Sequence, residues 1–166
     1  GHIRVIRNGI DLSRFAGVTR QQARQDYGLP PERPIVGMIA HVVPWKKHDV
    51  FIRVAAEIHQ QRPDAFFVIV GRDLFGEHGR YLAKLREQIQ EAGLENCVKW
   101  FDNVDSTNAI LPAFDVLIHH PTSEPFGRAI CEAMAAKVPV VAADSAGPAA
   151  LIRSGISGIL VQNGDA

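Results

Sequence analysis

Cysteine is scarce: Cys97 and Cys131 are the only two in 166 residues. Both lie in apolar stretches and their spacing fits no metal site, so they read as buried free thiols of a reducing compartment. Net charge is absent too, since 18 Lys and Arg balance 18 Asp and Glu. No global field therefore draws the chain to nucleic acid or to an anionic membrane. No apolar run is long enough to span a bilayer, and no signal peptide opens the chain. There is no Walker A loop and no Gly-x-Gly-x-x-Gly, which argues against an ordinary nucleoside triphosphatase or dinucleotide enzyme. There is no Asp-x-Asp, so nothing in the pattern suggests a metal-bridged pyrophosphate. Repeats and low-complexity segments are missing as well. Gly1-His2 reads as a scar of tag removal and carries no argument.

What is there is an alternation. With 46% hydrophobic and 22% charged residues, the chain can bury one sizeable core. Short apolar runs at 35–40, 66–70, 98–101, 115–120, 138–143 and 159–161 read as strands. Between them lie stretches of helical period. In 47–61, Val50, Phe51, Val54, Ala55 and Ile58 share one face, and Pro63 follows the end. In 79–92, Leu82, Leu85, Ile89 and Ala92 recur, and Gly93 stops the helix. Shorter helices are expected over 106–114, with Ser106 or Asp105 as N-cap, and over 126–136 and 148–154. Strands alternating with helices, the strands nearly all apolar, predict an α/β fold: a doubly wound, Rossmann-like parallel sheet with helices on both faces. Residues 1–34 read as a lead-in packed on the domain formed by 35–166. It carries a possible extra strand at 3–7 and a helix begun by the capping box Thr19-Arg20-Gln21-Gln22 and ended at Gly28. The chain stops at Gly164-Asp165-Ala166 with no crossover helix after its final strand, which is expected of a piece of a larger polypeptide.

In such a sheet the loops leaving the strands carry function. The first, His41-Val42-Val43-Pro44-Trp45-Lys46-Lys47-His48, puts cations at a helix start. Free N–H groups there already favour anions, by about 0.3–1 kcal/mol. Lysines at that end disfavour the helix unless an anion joins them, so a phosphate fits; the competing reading is two solvated surface charges. Gly71-Arg72-Asp73-Leu74-Phe75-Gly76 follows the second strand, where the glycines permit close approach to a ligand and equally mark a turn. After the fourth strand comes Glu124-Pro125-Phe126-Gly127-Arg128-Ala129-Ile130-Cys131-Glu132, with two carboxylates eight residues apart. Pro125-Phe126-Gly127 opens the helix and exposes backbone donors, with Glu124 just outside and Glu132 one to two turns inside. Carboxylates accept hydrogen bonds from sugar hydroxyls. Donors, cations and carboxylates together suit a ligand with both phosphate and hydroxyls, which describes a sugar nucleotide. Alternatively, Glu124 complements the helix dipole and Glu132 is a solvated helix residue. A glycosidase acid and base pair is a third reading, disfavoured by the basic loop and the dense α/β alternation. His119 and His120 are adjacent on a strand, point to opposite faces, and cannot easily share a metal ion.

Taken together, these segments resemble the C-terminal, donor-binding domain of GT-B-fold, retaining "group 1" glycosyltransferases. Arg7-Asn8-Gly9-Ile10-Asp11 with Phe15 resembles the family's opening segment. Glu124-Pro125-Phe126-Gly127 through Glu132 matches its E-x7-E motif. Glu132-Ala133-Met134-Ala135-Ala136 and Pro139-Val140-Val141-Ala142 follow as in the family, and Gly155…Gly158-Ile159-Leu160-Val161 resembles the closing segment. The resemblance implies transfer of a sugar from a nucleotide sugar with retention of configuration. It implies Glu132 on the ribose hydroxyls, Glu124 on the donor sugar, Lys46 on the pyrophosphate, and the amides near Phe126 and Gly127 beside sugar and phosphate. The base is expected to be read by backbone and shape around Asn103 and Val104. No cofactor and no metal are implied. The acceptor, a sugar, lipid or other molecule, would be bound by an absent N-terminal domain. The full-length enzyme would be cytoplasmic or peripheral at the inner membrane face, and this domain alone would transfer little. Three positions depart from the family. His41 stands where arginine is usual, so leaving-group stabilisation is expected to be weaker or to follow pH. Ala150 replaces an acidic residue in the loop Ala146-Gly147-Pro148-Ala149-Ala150. Gly71-Arg72-Asp73 stands where Gly-x-Gly is frequent. These departures keep open a non-catalytic nucleotide-sugar-binding module, and a sugar-nucleotide epimerase or other GT-B-fold enzyme remains a further reading.

Overall fold

The computed structural model describes residues 8–162. The expected strand at 3–7 and the chain end at 164–166 lie outside the described residues. Six strands form one sheet: β1 (Ile35–Ile39), β2 (Phe66–Val70), β3 (Val98–Phe101), β4 (Val116–His119), β5 (Val140–Ala143) and β6 (Ile159–Val161). Their order is β3-β2-β1-β4-β5-β6, and every pairing is parallel. Numbering runs outward in both directions from the β1–β4 pair, so a topological switch point opens beyond the carboxyl ends of those two strands.

Strand periodicity divides the core into two layers. In β2, Val68 and Val70 point to one side while Phe67 and Ile69 point to the other, and all four are buried. The first side is covered by α1 (Arg20–Asp26), α4 (Thr107–Ile110), α5 (Arg128–Ala135) and α6 (Ala146–Leu151), through residues such as Ala23, Ile110, Ile130 and Ala133. The second is covered by α2 (His48–Gln61) and α3 (Gly79–Glu91), through Phe51, Ile52, Ala55 and Leu85. This double cover is why the inner strands β1, β2 and β5 carry no polar face.

Most boundaries match the periodicity, and the departures have local causes. The helix expected over 106–114 is split, with α4 passing into a 3-10 turn at Leu111–Ala113 around Pro112, and Ser106 caps it without a side-chain hydrogen bond. The helix expected over 148–154 begins two residues earlier, which leaves Pro148 in its first turn where no N–H is needed. Cys97 is buried as expected, but Cys131 is only half-buried.

Three helices end on the same device. In α1, α3 and α5 the second residue past the C-cap donates back to the third residue before it: Leu29 to Arg24, Leu94 to Ile89, and Val138 to Ala133, at 2.8–3.0 Å. This needs a left-handed residue in between. Gly28 and Gly93 supply it in α1 and α3, while Lys137, at φ 61°, supplies it in α5.

The lead-in is tied to the sheet by one buried cation. Thr19 caps α1 by accepting from Gln22 N at 3.2 Å, although the Gln22 side chain bonds Asp26 and so completes only half of the capping box. One turn later Arg24, 4% exposed, donates to Ala113 O and to Pro31 O, and pairs with Asp115 at 2.8 Å. The same Asp115 carboxylate accepts from Ile35 N at 2.7 Å, so α1 is fastened to the first residue of β1. No helix among the described residues is long and apolar enough to cross a membrane.

Candidate functional site

The site is assembled at the switch point by two loops. Beyond β1, Pro44–Lys46 form a 3-10 turn, and Lys47 at φ 60° swings the chain into α2. Beyond β4, Thr122 N donates to Trp45 O at 2.9 Å and clips this second loop to the first. The clip places the Lys46 ammonium, 15% exposed, 2.6 Å from Glu124 Oε2 and 4.2 Å from the Trp45 ring centre. Gly147 closes the arrangement from the β5 loop. Its N–H donates to Glu124 O at 3.0 Å, and a Cβ there would lie 2.2 Å from that same oxygen.

Glu124 is 9% exposed and fully engaged. Oε2 meets His119 Nε2 at 3.0 Å as well as Lys46, and Oε1 accepts from Gly127 N at 3.0 Å and Phe126 N at 3.4 Å. The contact with His119 and the bond and charge of Lys46 hold its carboxyl well below the usual carboxylate range, against burial, which pushes the other way. The same bonds explain why α5 starts at Arg128 and not at 126. Phe126 and Gly127 turn their amides back onto Glu124, and Gly127 takes a left-handed φ of 93° as the N-cap. The donors expected at Phe126 and Gly127 are thus occupied by the protein's own carboxylate. The amides of Arg128 and Ala129, the next two, have no backbone partner among the described residues.

Glu132 projects from α5 one turn further on. It is not a solvated helix residue: it is 6% exposed, and its Oε1 lies 2.7 Å from Arg128 Nε.

A crevice of about 420 Å³ brings together seven of the candidate residues: His41, Lys46, Gly71, Asn103, Val104, Glu124 and Glu132. Phe126 lies instead in an adjoining cavity of about 650 Å³, which shares Val104, Thr107, Arg128 and Glu132 with the crevice. Gly127 lines neither. Gly71 proves to be a packing glycine on the crevice wall, since a Cβ there would fall 1.7 Å from Ala40 O, where β1 and β2 run on side by side. Sequence reasoning passed over His119, Arg72 and Arg128, all of which line the crevice. Arg128 could have been found from its i,i+4 spacing to Glu132; His119 could not, because its partner is reached only through the turn of a loop. Among the described residues no group of three or more His, Cys, Asp or Glu side chains could hold a metal ion.

A parallel sheet with a cationic, carboxylate-bearing crevice at its switch point is the general form of a nucleotide-binding α/β domain. Comparison with known proteins makes this particular. Residues 19–166 match the family described as glycosyl transferases group 1, and the chain belongs to that family. It is 32% identical over 170 residues to D-inositol 3-phosphate glycosyltransferase 2 of Catenulispora acidiphila, covering 99% of this chain and 40% of that protein. The chain thus spans about two fifths of the length of such relatives. Among solved structures it superposes on Anabaena HepE in complex with UDP-glucose with a TM-score of 0.88, at 35% identity over 97% of this chain and 44% of that one. It shares its fold with the C-terminal domain of a group 1 protein, LpcC, from Francisella tularensis, with a TM-score of 0.82 at 24% identity, covering 94% and 81% of the two chains. The architecture is that of GT-B glycosyltransferases, and the expected doubly wound sheet is what the chain forms.

Proposed function

We propose that this chain binds the donor in a glycosyltransferase that moves a sugar from a nucleotide sugar to an acceptor with retention of anomeric configuration, and that the donor is a UDP-sugar. The observation that carries this reading is the juxtaposition, in one crevice, of buried Glu132, the Lys46–Glu124 pair and the free first amides of α5. The solved HepE complexes hold UDP and UDP-glucose, which favours uridine over other bases. On this reading Glu132 accepts from ribose hydroxyls. Lys46 and the amides of Arg128 and Ala129 receive the diphosphate, and Glu124 accepts from the sugar once the diphosphate has drawn Lys46 away. As the bond from the anomeric carbon to the phosphate oxygen breaks, its electron pair passes to that oxygen. The positive charge that meets it counts most in the transition state. No metal has a part in this scheme. The acceptor is held by residues beyond this chain, so the isolated chain binds donor and transfers little.

Titration calorimetry with UDP, GDP, ADP and UDP-glucose, with and without a chelator, tests the proposal. Binding of UDP and UDP-glucose, insensitive to chelator, is the expected result. Absence of heat with every nucleotide, from folded protein, would sink it.

A further inference from the structure

Arg128 breaks two local rules at once. It is a cation in the first turn of α5, where the helix dipole disfavours positive charge by about 0.3–1 kcal/mol. Its partner Glu132 lies four residues further on, the weaker orientation for an i,i+4 pair. Such local conflicts are expected where a site needs a group for another purpose. The geometry points the same way. The Arg128 side chain is 75% exposed, yet its Nε is fixed 2.7 Å from Glu132, whose side chain is 7% exposed. Only that nitrogen is engaged; among the described residues neither terminal nitrogen of the guanidinium has a hydrogen bond. The terminal nitrogens therefore present their donors at the mouth shared by the crevice and the adjoining cavity, beside the free amides of Arg128 and Ala129. The other cations of the crevice are less well placed for this task. Lys46 is already neutralised by Glu124, and Arg72 follows β2, two strands away from β4 in the sheet.

We propose that Arg128 grips the phosphates of the bound nucleotide with the free end of its guanidinium while its Nε holds Glu132 in place for the ribose. One side chain thus couples recognition of sugar and phosphate in the same nucleotide. The proposal rests on the nucleotide reading of the crevice and deepens it. A planar fork suits it, since one edge can serve a carboxylate while the other serves a phosphate.

The test compares the chain with its Arg128→Leu and Arg128→Lys variants, titrated with UDP and with uridine at low and high salt. Arg128→Leu is expected to weaken UDP by about 10- to 100-fold, the range for lost charge-assisted bonds. Uridine should weaken at least fivefold less, and the salt dependence of UDP binding should shrink. Arg128→Lys, which keeps the charge and loses the fork, should fall between. Urea midpoints confirm folding; Arg128→Leu also leaves buried Glu132 without this partner, so a lower midpoint with a folded baseline is expected, and the UDP-to-uridine difference carries the test. Equal losses for UDP and uridine would assign Arg128 to Glu132 alone and overturn the proposal, as would unchanged UDP affinity. A parent chain that binds neither ligand overturns the nucleotide reading itself, an outcome distinct from both.

Discussion

Acid should weaken this protein well above the carboxylate range, through one histidine. His48 opens α2, is 0% exposed, and stacks on Trp100 with ring centres 6.0 Å apart and planes 8° from parallel. Neither ring nitrogen makes a hydrogen bond. Burial, offset only in part by the nearby Ala40 carbonyl, lowers its pKa from 6.5 to about 4. The unfolded chain therefore takes up a proton between about pH 6.5 and 4 that the folded chain refuses. The stability contributed by neutral His48 is complete above the upper value and is lost as pH falls through that window. Between pH 7 and pH 5 the loss is about 2 kcal/mol, at about 1.4 kcal/mol per unit of pKa difference. For a domain of this size that lowers Tm by roughly 4–8 °C. Melting curves followed by circular dichroism at pH 7 and pH 5 provide the assay, with His48→Phe as control. The control cannot titrate, so its own drop over this range should be smaller by about that amount. Equal drops in parent and variant would refute the reasoning.

Three further outcomes follow from the packing and the site. Arg24→Met should cost about 3 kcal/mol and lower Tm by roughly 6–12 °C, because it strands the Ala113 and Pro31 carbonyls and removes a partner of Asp115. A Tm within 2 °C of the parent, on that ~3 kcal/mol scale, would contradict the docking of α1. Lys137→Gly should stabilise by about 0.5 kcal/mol in urea titrations, since it relieves a left-handed φ at an exposed position where α1 and α3 carry glycine; a lower midpoint would contradict this. Lys46→Met should leave uridine binding nearly unchanged but weaken UDP at least tenfold on the scale of a charge-assisted bond, read by calorimetry.

How much of this was legible beforehand depended on the range of the interactions. β2, β3 and β6 begin and end where the apolar runs do, because each run is bounded by turn residues. Of the seven crevice residues, His41, Lys46, Gly71 and Glu124 stand in strand-end loops that the architecture sends to one place and Glu132 in the helix that follows, whereas Asn103 and Val104 rest on the family resemblance. The start of α5 could not be read, since the amides of Phe126 and Gly127 are drawn out of the helix by a side chain, a preference no periodicity reports. Nor could the partner of Lys46, which lies 78 residues away in sequence. Nothing in the capping box that opens α1 marks Arg24, and only the packing of that helix on Ala113 and Asp115 makes it buried.

The central claim is that the crevice at the β1–β4 switch point receives a nucleotide sugar. The most direct test is an amide chemical-shift map of the chain titrated with UDP-glucose. The account predicts the largest changes at His41, Lys46, Asn103 and Val104 and in Gly127–Glu132, with little change around Arg24 and Asp115 at the opposite end of the sheet. Changes confined to residues away from the crevice, or none at saturating ligand, would contradict it.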